Sequence, residues 1–260
     1  MEQLNSIPEP PVEVPRPASS LVARLFNVFA DPGDVFQEVK VSKPSTANWL
    51  VPALLYAIVG VISVVIIFSQ PAIIQQIHDQ QASAMDQQVK AGKMTQAQAD
   101  QAMAVAEKFT GPGMMKFFGG IGALIGSFVH VIWWSFVLWL MCLLVLKQKV
   151  PFLKTVEVAG LMTMILVLGS IVTVLLTVIT GKLGITPSPA LLISDFSLQN
   201  KTHLMLAALN VFSLWQVGVA ACGLSGLTGV PFTKTLPIVV VYWLAYSLFF
   251  ISIGFGQMAL

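Results

Sequence analysis

Long apolar runs separated by short polar links dominate the chain. Each run is close to the ~20 residues that an α-helix needs to cross about 30 Å of hydrocarbon. The runs comprise residues 49–68, 117–146, 156–179, 204–227 and 236–255. The pattern predicts an all-α fold, namely a polytopic membrane helical bundle with five transmembrane helices.

The segment before the first run has a different pattern. Five prolines within residues 1–20 disfavour a helix and predict a disordered tail. In residues 21–48, apolar residues recur at helical spacing after a cap at Ser19 or Ser20. Asp31 followed by Pro32 is typical of a second helix start. Both helices are too short and too charged to span, which predicts two interfacial helices at the cytoplasmic membrane surface.

The longest link, residues 69–116, is rich in Gln, Ala and Met. Thr95 and Gln98 fit a capping box, and an apolar stripe follows as far as Phe109. Glycines around Pro112 then end the helix. The link is therefore predicted to be an extracytoplasmic helical insert. It either packs as a cap on its own helices or binds a partner.

Composition supports a membrane protein and narrows its partners. The chain is 56% hydrophobic and only 10% charged, whereas a soluble domain carries about 25% charged residues. Its mean hydropathy is +0.81. A net charge of +2 with scattered basic residues argues against nucleic acid as a partner. Cys142 and Cys222 lie in apolar runs and do not form a disulfide framework.

The lysines near the spans predict the orientation, because cytoplasmic links favour Lys and Arg. The predicted links on one side carry Lys40, Lys43, Lys147, Lys149, Lys154 and Lys234. The links on the other side carry Lys108, Lys116, Lys182 and Lys201. The cluster at residues 147–154 decides the assignment. It predicts a cytoplasmic N-terminus, an extracytoplasmic C-terminus, and cytoplasmic interface turns at residues 147–154 and 234.

An internal repeat relates two parts of the chain. Residues 150–155 and 230–235 agree at five of six positions, and residues 130–155 and 210–235 agree at nine of 26. The repeat predicts two parallel helical hairpins, with Pro151 and Pro231 at the first helical position. Lys154 and Lys234 are expected to reach the headgroup layer. Many transporters use inverted repeats instead, so a parallel repeat weighs against transport.

Polar residues inside the spans are the candidate binding residues. His130 shares a helix face with Gly122 and Gly126, a small-residue contact pattern. Its repeat equivalent is Asn210, and Gln216 follows on the same predicted span. These polar groups either form a cluster that touches a ligand or lipid headgroup, or join helices, with His130 bonded to Asn210 or a carbonyl.

Glu157 lies near the start of the third predicted span, three residues after Lys154. The spacing predicts an ion pair at the membrane interface, with a proton site as the alternative. The sequence contains no phosphate-binding glycine loop, no nucleophile elbow and no Cys/His set with metal spacing. We therefore expect no catalytic residues, no metal and no cofactor, and we do not expect an enzyme.

Three features together resemble the Yip family of Ypt/Rab-interacting membrane proteins, in its bacterial-type branch. They are the lead-in at residues 25–36 with residues 43–52, the five spans, and the Pro-Phe-x-Lys-Thr motif before the third span. The resemblance covers residues 22–255 and implies a five-helix fold with a cytosolic N-terminus. It implies the bacterial cytoplasmic membrane as the location, with the ER or Golgi membrane as the alternative. The Asp-Leu-Tyr-Gly-Pro type motif of the Rab-binding branch is absent, which argues against a Rab-type GTPase as partner.

Two functional hypotheses follow. The first is a non-enzymatic scaffold that organises membrane or cytoplasmic proteins, or lipids of the bilayer, through its lead-in helices and basic turns. The second is a small transporter or channel that uses the region of His130, Asn210 and Gln216. A continuous polar cavity that reaches His130 would favour transport, and a tightly packed bundle would favour the scaffold.

Overall fold

The computed structural model of the protein describes residues 19–194 and 196–254. The predicted tail, except for its last two residues, and the end of the fifth predicted span lie outside these residues. The described part contains ten α-helices and no strand. The helices are α1 Leu21–Ala30, α2 Pro32–Val41, α3 Ala47–Ile67, α4 Pro71–Lys90, α5 Gln96–Phe109, α6 Pro112–Leu140, α7 Phe152–Thr180, α8 Lys201–Ala208, α9 Val211–Thr228 and α10 Phe232–Ser252.

Five of these helices are long and apolar enough to cross a membrane, which confirms the predicted five-span, all-α fold. They are α3, α6, α7, α9 and α10. A π-helical turn, Met141–Val145, extends α6. We call the end of the bundle that holds the links α6–α7 and α9–α10 the turn end. The opposite end, where α4 and α5 lie, is the insert end.

The two lead-in helices begin where the sequence predicts. The Ser20 hydroxyl accepts a hydrogen bond from the backbone of Ala23, and the Asp31 carboxylate caps α2 ahead of Pro32. Their apolar faces pack against the bundle, while the predicted position of the two helices at the cytoplasmic membrane surface remains a prediction. The buried residues are Leu25, Val28, Val35, Phe36 and Val39.

Glycines on the partner helix allow α2 to pack tightly against α9. Phe36 is fully buried beside Gly223 and Gly226. A Cβ atom at Gly226 would lie 2.8 Å from Cβ of Phe36, closer than real side chains approach. The phenyl ring therefore fills a groove that exists because these two positions carry no side chain.

The contact between α3 and α7 is closer still. A Cβ atom at Gly160 would lie 2.2 Å from Cα of Trp49 and 2.8 Å from the carbonyl oxygen of Asn48. The backbone of α3 thus rests directly on α7 at this point. Small residues let membrane helices approach in this way, because packing contacts replace the hydrophobic drive that lipid does not supply.

The predicted fourth span, residues 204–227, is wrong as one continuous helix. It divides into α8 and α9 at Leu209 and Asn210. The Asn210 side chain accepts a hydrogen bond from the backbone of Phe212 at 2.9 Å, and the Val211 backbone donates to the Pro187 carbonyl at 3.1 Å. These bonds replace helical ones, so the chain turns here and a new helix starts.

The insert folds as two helices, α4 and α5, and the capping box of Thr95 and Gln98 is confirmed. Gln76 ties α4 to the link after α7. Its amide donates to the Gly181 carbonyl at 2.7 Å and accepts from the Leu183 backbone at 3.1 Å. The insert therefore contacts the spanning helices, while its predicted extracytoplasmic location remains a prediction.

The two repeated turns share their local structure. The Thr155 hydroxyl donates to the Phe152 carbonyl, and Thr235 donates to Phe232 in the same way. Helices α7 and α10 begin at Phe152 and Phe232, so each repeated proline is the capping residue before its helix rather than the predicted first helical residue. The repeat thus sets a common helix start.

Candidate functional site

A polar network fastens the lead-in helices to the turn end of the bundle. Arg24 on α1 forms an ion pair with Glu38 on α2, at 2.8 Å between Nη2 and Oε1. The Ser19 backbone and hydroxyl also donate to this carboxylate. Burial acts to raise the pKa of Glu38, but the bonds from Ser19 and Arg24 outweigh it, and the pKa lies below its usual value.

The network continues from α1 into the buried core. Arg24 donates to the Asn48 side-chain oxygen at 3.2 Å, and the Asn48 amide donates to Glu157 Oε2 at 2.6 Å. Asn48 and Glu157 are fully enclosed, at 0% and 1% exposure. Because buried polar groups are costly without partners, these bonds specify how α1, α3 and α7 fit together.

Lys154 closes the network against α2. Its ammonium group lies 3.0 Å from Glu157 Oε1, an ion pair although that oxygen receives no aligned hydrogen bond. It also donates to the carbonyls of Val39 and Ser42, at 2.6 and 2.8 Å. These carbonyls belong to the last turn and cap of α2, which helix geometry leaves without a backbone partner and which favour a cation.

The predicted pair of Lys154 and Glu157 is therefore present with both side chains buried, while its predicted location at the membrane interface remains a prediction. The expectation that Lys154 reaches the headgroups is wrong, because its ammonium group is buried against carbonyls of α2. Lys234, its repeat equivalent, is exposed, as are Lys147 and Lys149. The end of α2 covers one repeated turn, which explains how matching sequences reach different environments.

Three members of the network, Arg24, Glu38 and Asn48, were not among the candidate site residues from sequence. One signal was available, because Arg24 interrupts an apolar helix that is otherwise free of charge. Its partners lie 14 and 24 residues away, and Asn48 meets Glu157 across 109 residues. No periodicity connects positions so far apart.

A cavity of about 860 Å³ lies at the insert end, between α3, α6, α7, α9 and α10. The predicted candidates His130, Asn210 and Gln216 all line it. His130 Nε2 lies 3.1 Å from Gln216 Nε2, a hydrogen bond in which the unprotonated ring nitrogen accepts from the amide. Asn210 instead caps α9, so the predicted bond between His130 and Asn210 is not among the bonds of the described residues.

The glycines beside His130 provide room for the cavity. The predicted small-residue contact through Gly122 and Gly126 is wrong, because a Cβ atom at either position would meet no neighbouring atom within 4 Å in the described residues. Helices α3 and α6 touch through Gly60 and Ala123 instead. Both glycines line the cavity, which continues along the hydroxyl-bearing face of α7 to Thr177.

The cavity walls are uncharged among the described residues. The polar groups are amides, hydroxyls, the imidazole of His130 and the polar atoms of Tyr and Trp side chains. No Asp, Glu, Lys or Arg lines the space. Towards the turn end, fully buried residues fill the bundle below it; they are Leu138, Leu161, Ile165 and Leu224. The cavity therefore ends inside the bundle on that side.

Replacing His130 with Phe is expected to lower the free energy of unfolding by about 1–3 kcal/mol. The buried Gln216 amide would lose its bond partner. Unfolding of the purified protein in detergent measures this change. A double variant, His130→Phe with Gln216→Leu, should recover much of the loss because neither polar group remains. A single variant as stable as the parent protein would contradict the structural role of the bond.

Comparison with known proteins gives one match. A family model described as the Yip1 domain matches residues 26–254, which is most of the chain. No curated protein and no solved structure matches the chain significantly. Within the described residues, no group of three or more His, Cys, Asp and Glu side chains could hold a metal ion.

Proposed function

Since the chain belongs to the Yip1 domain family, we propose that it is a non-enzymatic membrane scaffold that presents its lead-in helices to a cytoplasmic partner. The observation that carries the proposal is the fastening of α1 and α2 to the spanning helices by buried polar groups. A helix held in a fixed orientation offers a partner a preorganised surface, which lowers the entropic cost of binding.

The outward face of α1 offers apolar contact area. Val22 and Phe26 are 61% and 68% exposed and lie one helical turn apart. Leu25 and Val28, further round the helix, are buried in the core. Spacing of this kind is typical of apolar anchors in helix recognition. The exposed pair therefore supports docking of a protein partner on α1.

The proposed orientation places the turn end in the cytoplasm. Lys147, Lys149 and Lys234 are exposed there, together with Lys40 at the end of α2. Exposed lysines beside spans favour the cytoplasmic side and are attracted to anionic headgroups. The same surface would hold the scaffold close to lipid while α1 remains available.

Affinity purification with quantitative mass spectrometry tests the proposal. A double variant, Val22→Ser with Phe26→Ser, should lose a stoichiometric partner that the parent protein retains. The matched control is Val105→Ser with Phe109→Ser on α5, which has the same residue types and spacing at 55% and 57% exposure. Equal recovery from both double variants, or no stoichiometric partner from the parent protein, would overturn the proposal.

Transport is the second candidate, favoured by the cavity that reaches His130. A transporter must expose this space to both sides in turn, whereas packed residues fill the bundle below it. In a variant whose native cysteines are replaced, Ser170→Cys would report access. Reaction with an impermeant thiol reagent from both sides of sealed vesicles supports transport, and reaction from one side or neither contradicts it.

A further inference from the structure

We propose that the cavity at the insert end binds an uncharged, hydroxyl-bearing amphiphile of the monoacylglycerol class, taken from the surrounding bilayer. The inference is independent of the scaffold proposal, because it concerns the opposite end of the bundle. It combines four observations: empty space of suitable size, buried hydroxyl groups without a partner, a lining without charged side chains, and a wall of side chains facing lipid.

The first observation is the size and composition of the space. A volume of about 860 Å³ lies within the range of small-molecule sites, roughly 300–1,000 Å³. Gly122 and Gly126 leave it open on α6, where any larger residue would project into it. Apolar and aromatic side chains dominate the rest of the lining, which suits an acyl chain.

The second observation is an unpartnered hydroxyl group at the cavity. Ser247 on α10 is 5% exposed, lines the space, and has no hydrogen-bond partner among the described residues. The hydroxyl oxygen of Ser63 on α3 is also buried there without a partner. Buried polar groups almost always have partners, so each orphan points to a group that the ligand supplies.

The third observation concerns charge. No Asp, Glu, Lys or Arg in the described residues lines the cavity, so a phosphate, carboxylate or ammonium headgroup would be buried without a counter-charge. The hydroxyl groups of a neutral ligand can form hydrogen bonds with the two serines, the His130–Gln216 pair and Asn210 without the cost of burying a charge. The chemistry therefore favours a neutral headgroup over a phospholipid or a fatty acid.

The proposed route from the bilayer lies between α6 and α10. These two helices are joined chiefly by aromatic side chains, with Trp133 donating to the Tyr242 hydroxyl at 2.8 Å and packing beside Tyr246. The outward residues next to this wall, such as Val129 and Val241, are exposed and apolar, as expected for contact with lipid. The proposed route requires these aromatic side chains to rotate so that an acyl chain can pass.

Photolabelling of the full chain in nanodiscs tests the inference. The probe is a monoacylglycerol with a diazirine in its acyl chain, and the comparison probe is the fatty acid of the same chain. We expect saturable labelling of α6 or α10 by the first probe, competed by unlabelled monoacylglycerol. The fatty acid should label at least roughly tenfold less.

Two glycine variants provide a test and its matched control. Gly126→Leu fills the cavity and should reduce saturable labelling at least roughly tenfold. Gly218→Leu introduces the same side chain on α9, where a Cβ atom also meets no neighbour within 4 Å but which does not line the cavity. It should label like the parent protein. Ser247→Ala, which removes only a hydroxyl, should weaken labelling severalfold and decides the matter if Gly126→Leu does not fold.

Three outcomes would overturn the inference. They are labelling that does not saturate, equal labelling by the fatty acid, and undiminished labelling in both Gly126→Leu and Ser247→Ala. The scaffold proposal is unaffected by any of them, because its test changes residues of α1 and reads a protein partner. Failure of one proposal is therefore distinguishable from failure of the other.

Discussion

Replacing Gly160 with alanine is expected to destabilise the protein by about 3 kcal/mol or to prevent folding. The added methyl group would lie 2.2 Å from Cα of Trp49 and 2.8 Å from the Asn48 carbonyl oxygen. Backbone atoms cannot rotate away as a flexible side chain can, so α3 and α7 must separate. Separation would also disrupt the bond between Asn48 and Glu157. Unfolding in detergent, together with the yield of monodisperse protein, measures the effect.

Gly126→Ala is the control for this substitution. It makes the same chemical change on another spanning helix, at a position where the methyl group meets no neighbour within 4 Å in the described residues. Alanine also suits a helix better than glycine, so stability should be unchanged or slightly raised. Equal destabilisation by both variants, or none by either, would show that the α3–α7 contact is not as close as described.

Replacing Glu157 with alanine is expected to lower the free energy of unfolding by about 3–5 kcal/mol. The variant would leave the ammonium of Lys154 buried with only carbonyl partners and would remove the acceptor of the Asn48 amide. A buried charge without its counter-ion is far more costly than the loss of an exposed pair. Chemical unfolding in mixed micelles measures the change.

Two controls accompany this prediction. Asp86→Ala breaks an exposed pair with Lys90 on α4 and should cause no measurable change, because both side chains are more than half exposed. A double variant, Lys154→Met with Glu157→Met, removes both buried charges and should be less destabilised than Glu157→Ala alone. A double variant that loses as much as two independent single changes would contradict the coupling of the two residues.

Local signals in the sequence were sufficient for the spans and for several helix starts. Ser20, Asp31 and Thr95 act through bonds to backbone groups three residues away, so their roles follow from a short window. An apolar run of about 20 residues has the length that a helix needs to cross the hydrocarbon layer, so the five spans could be predicted from the sequence. The capping signals depend on residues close in sequence, and the span signal depends on the lipid around the helix.

The break at Asn210 shows where such signals fail. The run from 204 to 227 is mostly apolar, and its length fits a span. The helix ends because the Val211 backbone bonds to Pro187, a residue outside the run. Asparagine is a good N-cap residue, but Asn210 would look the same inside a continuous helix as at a break. The partner in the preceding link decides, and its position depends on the tertiary fold.

The candidate residues show the same limit. His130 and Gln216 were correctly selected as polar groups within spans, yet their bond to each other depends on how α6 and α9 are oriented. The repeated lysines show this limit more clearly. Lys154 and Lys234 occupy matching sequences, yet only Lys154 is buried beneath α2. Burial of a side chain is a property of what covers it, which local sequence does not encode.

The two ends of the bundle differ in chemistry, and this difference connects the structure to function. At the turn end, one buried and one partly buried ion pair hold α1 and α2 in place. At the insert end, the lining of the described cavity is neutral, and two of its hydroxyl groups have no partner. The first arrangement suits a fixed surface for a protein, and the second suits a site for a neutral lipid.

The scaffold proposal requires α1 and α2, and therefore the turn end, to face the cytoplasm, and cysteine accessibility measures this location. In a variant whose native cysteines are replaced, single cysteines are introduced at Gln148 in the exposed turn and at Val105 in the insert. Sealed spheroplasts of a bacterial expression host are treated with an impermeant maleimide. We expect Val105→Cys to react before permeabilisation and Gln148→Cys to react only afterwards. The reverse pattern, or both positions reacting from outside, would contradict the scaffold proposal.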